Sequence, residues 1–193
     1  MLILGHAGIT LGAAVLLNGA LAKRHRLSAI GSNPKSWLTA LGNRIDIRIL
    51  LIGSLLPDFI DKPVGQFLLR DTLNSGRIFC HTLLFVIVLT LAGVCLYQAR
   101  RKTWLLVLSG GSFAHLIFDQ MWLHPHTLFW PIFGLAFERV GDLTYWLRGV
   151  WYALLTEPAV YVPELAGTMI LIWFTLTLLR RRRVYSFLKN GRV

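Results

Sequence analysis

His115 and Asp119 stand four residues apart near the end of an apolar run that begins at Thr103. On a helix that spacing stacks two side chains on one face. A neutral imidazole and a carboxylate so placed can point at one object, and they make a usable pair of metal ligands. The plainer alternative is a His–Asp hydrogen bond that lets two polar groups survive in apolar surroundings. The positions of the other histidines and aspartates weigh between the two. His6 lies near the start of the first apolar run, with Thr10 four residues on. Asp58 and Asp61 lie at the end of the second, and His81 opens the third.

The elements that carry these residues read as membrane spans. The chain has 193 residues, is 55% hydrophobic and carries a formal net charge of +11. Its mean hydropathy is +0.59, and few soluble domains are that apolar. In a soluble protein such a charge would suggest nucleic acid. Here lysines and arginines cluster at the ends of apolar runs, as in a membrane protein facing an anionic leaflet. Anionic lipid at the cytoplasmic face is therefore the expected partner of the basic clusters, and nucleic acid is not expected.

The expected fold is all-α, a polytopic helical membrane bundle of about five transmembrane helices. They fall near residues 2–22, 45–60, 78–99, 103–123 and 162–179, lengths that suit or approach a bilayer crossing. They form a single domain over 1–183, followed by a short basic cytoplasmic tail, 184–193. Residues 27–44 read as a polar loop with a turn cluster at 31–34, and 62–77 as a loop of mixed charge. The aromatic segment 124–160, with Phe129, Trp130, Trp151 and Tyr152, reads as lying at an interface. Pro57 lacks a backbone donor and disfavours helix at Leu56, so a break there is expected to present Asp58 and Asp61 from irregular backbone. Cys80 and Cys95 share one run, roughly 22 Å apart on a helix, which is beyond disulfide reach. The first residues, Met-Leu-Ile-Leu-Gly-His, have no basic n-region, so the first span reads as retained.

Orientation follows from the basic residues, which favour cytoplasmic ends. Placing 23–48, 99–103 and 180–193 inside puts 15 of the 20 lysines and arginines there. Five crossings with the N-terminus outside and the C-terminus inside satisfy every cluster, in the inner membrane of a bacterium. His6, Asp58, Asp61, His81, His115 and Asp119 then all fall in the outer part of the membrane. Each costs a few kcal/mol if left facing lipid, on the order of ~3. Clustering around metal removes that cost.

Three imidazoles with two or three carboxylates exceed what a structural metal needs, and structural zinc sites prefer cysteine. A His/Asp set with open positions suits catalysis by one divalent metal or two, zinc first and manganese or magnesium as alternatives. Such a metal lowers the pKa of water and stabilises charge on a phosphoryl oxygen. Arg77, four residues before His81, could hold a phosphate bidentately; equally, it could be an arginine that snorkels to the interface. His124 and His126 read as loop histidines. Gly110 and Gly111 read as a place where helices approach closely. Glu138, Arg139 and Asp142 read as a solvated charged edge, and Asp46 and Arg48 as structural.

Four motifs in order resemble those of the YdjM-like family. They are His6 in an opening apolar helix, Leu56-Pro-Asp-Phe-Ile-Asp61, Gly76-Arg-Ile-Phe-Cys-His-Thr82, and His115-Leu-Ile-Phe-Asp119 followed by Leu128-Phe-Trp-Pro131. The resemblance covers roughly residues 1–135. In the family the third motif usually reads Arg-Gly-x-Thr-His-Ser; here the Gly and Arg are transposed, and Cys80 and Thr82 flank His81. The resemblance implies a LexA-regulated, membrane-bound, metal-dependent hydrolase. A looser likeness of the His-x-x-x-Asp pair to zinc-dependent phospholipase C suggests phosphoester chemistry.

The resulting expectation is a membrane-embedded hydrolase of a phosphoester in a phospholipid or other lipid phosphate. His6, Asp58, Asp61, His81, His115 and Asp119 are the expected metal ligands, with Asp119 and Arg77 in catalysis. Ligands embedded in spans are reached most readily by a substrate that is itself in the bilayer. Two rival expectations stand beside it. One is a proton or metal-ion transporter, for which polar residues at several depths are required. The other is a non-catalytic membrane protein stapled by a structural metal.

Overall fold

The apolar runs and their connections resolve into helices in the computed structural model, which describes residues 2–28, 45–139 and 143–191. In chain order they are α1 (Ile3–Ser28), α2 (Ile47–Pro63), α3 (Leu83–Arg100), α4 (Trp104–Phe118), α5 (Pro125–Leu128), α6 (Leu143–Thr156), α7 (Pro158–Arg180) and α8 (Val184–Asn190). Among the described residues there is no strand. The fold is all-helical, as expected. The turn cluster at 31–34 and Asp142 lie outside the described residues.

Among the described residues, two helices, α3 and α7, are long and apolar enough to cross a membrane; α4 and the apolar part of α1, Ile3–Leu17, are shorter. Helix α3 buries little beyond Val86 and Gly93. Its outer face, including Val88 and Leu91, is exposed. A helix that is apolar all round yet so little buried needs an apolar surrounding other than protein.

Helix α2 packs along α4, and α1 along α7. Small residues make both approaches possible. A Cβ on Gly53 would run into the backbone of Leu108, and one on Gly111 into that of Leu50 and Gly53. Gly8 and Gly167 meet in the same way between α1 and α7. Gly110 has open space around it, so of the expected glycine pair only Gly111 serves the crossing. Leu11, Ile47, Phe174 and Leu178 then form a core joining α1, α2 and α7.

Several boundaries depart from the sequence expectation. The expected break at Pro57 does not occur, and α2 runs through it to Pro63. The ring removes the donor that Gly53 would have used, but the Gly53 carbonyl instead accepts the Ser112 hydroxyl of α4 at 3.1 Å. Asp58 and Asp61 therefore project from regular helix. The expected loop at 62–77 begins as a π-helical turn, Val64–Leu68. His81 does not sit in the first turn of a span either. It ends a 3-10 turn, Phe79–His81, and α3 starts after Thr82, whose hydroxyl caps the Phe85 N–H at 3.1 Å. Such caps satisfy an otherwise orphan donor at a helix start.

The last span begins earlier than expected, at Pro158, and contains Glu164. The basic tail is not a free extension. It folds as α8, with Phe187 against Phe174 at a ring separation of 5.3 Å. The Ile47 N–H donates to Gly191 O at 2.9 Å, and Arg48 reaches the Leu188 carbonyl. Cys80 and Cys95 are both free thiols.

Candidate metal centre

Four parts of the chain bring polar side chains to one point. His6 comes from the first turns of α1, Asp58 from α2, and His81 from the 3-10 turn ahead of α3. His115 comes from α4, and Asp119 from just beyond its end. The Asp119 N–H still donates to the His115 carbonyl at 2.9 Å, so the four-residue relation survives the end of the helix. The three imidazoles are fully buried, and Asp58 is nearly so.

The orientation of the rings decides what they can do. His115 Nδ1 lies 2.7 Å from the Ser54 carbonyl. A carbonyl only accepts, so Nδ1 carries the proton and Nε2 presents a lone pair. His81 Nδ1 lies 2.7 Å from Asp61 Oδ2. Asp61 already accepts the N–H groups of Ile78 at 2.9 Å and His81 at 3.1 Å, and that of Cys80 on both oxygens. A carboxylate with that many donors stays an acceptor, so the His81 Nδ1 is protonated and its Nε2 too presents a lone pair. These two Nε2 atoms face each other at 3.2 Å. Two lone pairs at that distance repel unless a cation, either a proton shared by the rings or a metal ion, lies between or beside them. Asp58 Oδ1 sits 3.6 Å from one and 3.8 Å from the other. The His6 ring stacks on His115 at 4.1 Å, and its Nε2 lies 3.1 Å from Asp119 Oδ1. Among the described residues, the buried His6 Nδ1 has no hydrogen-bond partner.

Two overlapping sets therefore have ligand atoms within 4.8 Å of one another: Asp58, His81 and His115, and His6, His115 and Asp119. Buried imidazole and carboxylate donors of this kind could hold a divalent metal. The facing lone pairs and the unpartnered His6 nitrogen both fit such an ion.

A model of the YdjM inner membrane protein family matches residues 1–188. The chain belongs to that family. No curated protein and no solved structure matches it. Family membership and the two long apolar helices agree that this is a membrane protein.

Asp61 is the residue placed differently from expectation. It lies behind His81 rather than among the ligand atoms, because both its oxygens are already engaged. It fixes the tautomer and orientation of the His81 ring, the part an outer carboxylate plays for an imidazole that binds metal. Arg77 does not snorkel. Its Nε and Nη2 lie 3.2 and 3.0 Å from Asp119 Oδ2. Its Nη1 donates to His124 Nε2 at 3.1 Å, and His124 Nδ1 donates to Glu138 at 2.8 Å. His124 and Glu138 thus position Arg77, which reading them as loop and solvated edge did not anticipate. His126 stands apart, 3.2 Å from the Phe133 carbonyl.

Two further residues escaped the sequence reading. Lys62 lies 2.6 Å from Asp58 Oδ2; its position four residues after Asp58 on one helix was the available signal. Glu164, nearly buried, accepts the Leu2 and Gly5 N–H groups at 2.6 and 2.9 Å. It anchors the start of α1, and with it His6. A lone acid in an apolar span was the signal there.

Proposed function

We propose that the chain is an integral membrane hydrolase whose metal centre acts on a phosphoester in a phospholipid or other lipid phosphate. The observation that carries the reading is the pair of facing His81 and His115 lone pairs beside Asp58. A divalent ion beside Asp58 removes that repulsion, and donors in excess of a structural metal's needs leave room for catalysis. Zinc is the best match to the imidazole and carboxylate donors. A single ion suffices: His115 is common to both ligand sets, and with Nδ1 committed to Ser54 it has one lone pair to give.

When bound, a divalent metal supplies Lewis-acid stabilisation of a phosphoryl oxygen and makes water a better nucleophile. The chain's own residues do the rest. His81, His115, Asp58, His6 and Asp119 would hold the ion, and Asp58 and Asp119 of this set line a cleft. Arg77, fixed by His124, stands at the same cleft with a planar fork suited to phosphate. The cleft has a volume of about 310 Å³, and its lining combines charged groups with Val150, Ala153 and Val160. Trp151, Tyr152 and Leu155, also of α6, are exposed, as suits a helix lying at a membrane interface. Charged and apolar lining together match a headgroup and its chain.

Five crossings, by α1, α2, α3, α4 and α7, with the N-terminus outside, place this cleft in the outer leaflet of the inner membrane. The support is the clustering of basic residues at 23–48, 99–103 and 180–193. Reporter fusions at residues 30, 101 and 190 should read cytoplasmic, and one near 140 should not; inverted readings at two of these positions sink the orientation.

The activity is tested by metal analysis of the purified protein, followed by a lipid-phosphate hydrolysis screen before and after chelation. The expected result is stoichiometric zinc or a related divalent ion, and turnover lost on chelation and restored by the metal. Bound metal with no turnover on any lipid phosphate would return the centre to a structural role.

A further inference from the structure

We propose that Lys62, Arg77 and Arg139 form a subsite for a phosphomonoester dianion that becomes competent only when the metal is bound. This rests on the metal-centre reading above and names the anion that the same cleft takes. The cations now sit on the carboxylates the metal would use: Lys62 on Asp58 Oδ2 at 2.6 Å, and Arg77 on Asp119 Oδ2 at 3.0 Å. Arg139 lines the same cleft, its Nη2 donating to the Thr72 carbonyl at 3.1 Å. The lining carboxylates are Asp58, Asp119 and Glu138, so anionic and cationic side chains balance.

A divalent ion held by His81, His115 and the two aspartates would draw on the same carboxylate charge as Lys62 and Arg77, although Asp58 faces the rings with Oδ1 and Lys62 with Oδ2. Its double charge at that range repels both cations and weakens each carboxylate's hold on them. Lys62 and Arg77 are then released without leaving the cleft. Lys62 is free to swing on its flexible stem. Arg77 is retained through Nη1 by His124, which leaves its Nε and Nη2 edge open as a bidentate fork. The lining now carries a surplus of two positive charges. A phosphomonoester, with a charge of about −1.5 to −2 at neutral pH, restores the balance; a phosphodiester monoanion does not. Before the metal enters, the same cations are occupied and an anion has nothing to displace them.

Isothermal titration of the full chain in maltoside micelles tests this, with inorganic phosphate and dodecyl phosphate as probes. Each is titrated into zinc-loaded and chelator-treated protein. Phosphate should bind the loaded parent at least about tenfold more tightly than the chelated one. Lys62→Gln and Arg139→Gln should each weaken phosphate binding by roughly tenfold. Metal content should stay at the parent level or above in Lys62→Gln, since Lys62 competes with the ion for Asp58. Lys62→Arg, which keeps the charge, should bind phosphate nearly as the parent does. Dodecyl phosphate binding more tightly than phosphate assigns the subsite to a lipid headgroup; equal affinity assigns it to free phosphate. Phosphate affinity that is indifferent to metal, or unchanged in both Gln variants, overturns the subsite while leaving the metal centre standing. A parent that takes up no metal overturns both.

Discussion

Asp119→Ala is expected to abolish hydrolysis and to strip most of the metal. Asp119 Oδ1 faces His6 at 3.1 Å and Oδ2 faces Arg77 at 3.0 Å, and the carboxylate belongs to one of the two ligand sets. Its removal takes a charged donor from the centre and leaves His6 without its partner. The loss of metal affinity should exceed the ~10–100-fold typical of an outer-shell partner. The fold should survive. Arg77 is 39% exposed and can turn toward water, so it is not left as a buried, unpaired charge of the kind that costs ~3–5 kcal/mol. Asp119→Asn keeps the shape but not the charge, and should also fail to hold the metal normally. Metal content and turnover, measured on the same preparations of parent and both variants, provide the check. An Asp119→Ala protein with full metal and full turnover would remove the end of α4 from the site.

Much of this site was legible because burial in an apolar chain is costly for polar groups. His6, His81, His115, Asp58 and Asp119 stood out in apolar runs, and the basic clusters put them at one end of the bundle. Periodicity and charge suffice for that much. They do not say which atom of a side chain is already spent. Asp58 and Asp61 are three residues apart on one helix and look alike in sequence; only the folded turn at 78–81 shows that three backbone N–H groups converge on Asp61. The turn itself was hidden because His81 and Thr82 sit inside one long, mainly apolar run, 78–99, where Thr82 acts as a cap. Pro57 misled for a related reason. Its missing donor was plain, but the remedy, a hydroxyl from Ser112, lies in a helix more than fifty residues away. The span count is the other limit. Helix α4 has 15 residues, about 22 Å at 1.5 Å per residue, against roughly 30 Å of hydrocarbon. The apolar run continued past Phe118, but the helix did not.

Asp61→Asn separates a ligand from the group that aims one. The parent carboxylate accepts from three backbone N–H groups and from His81 Nδ1 at 2.7 Å. An amide has one oxygen and one NH2, so the substitution sets donor against donor in a fully buried position. Two effects follow. The turn carrying Phe79–His81 loses part of its anchor, and each unsatisfied buried group costs ~1–3 kcal/mol, so the thermal midpoint in detergent should fall clearly below the parent's. The His81 ring also loses the partner that fixes its tautomer, and metal affinity, read by competition with a chelator, should drop about 10–100-fold. Binding should nonetheless reach the parent's stoichiometry at saturating metal, because His81 Nε2 and the other donors remain. Asp119→Ala should not recover in this way, and that contrast distinguishes the two aspartates. Unchanged affinity and midpoint in Asp61→Asn would show that the turn holds His81 without it. A well-folded Asp61→Asn protein that binds no metal at any concentration would instead make Asp61 a ligand.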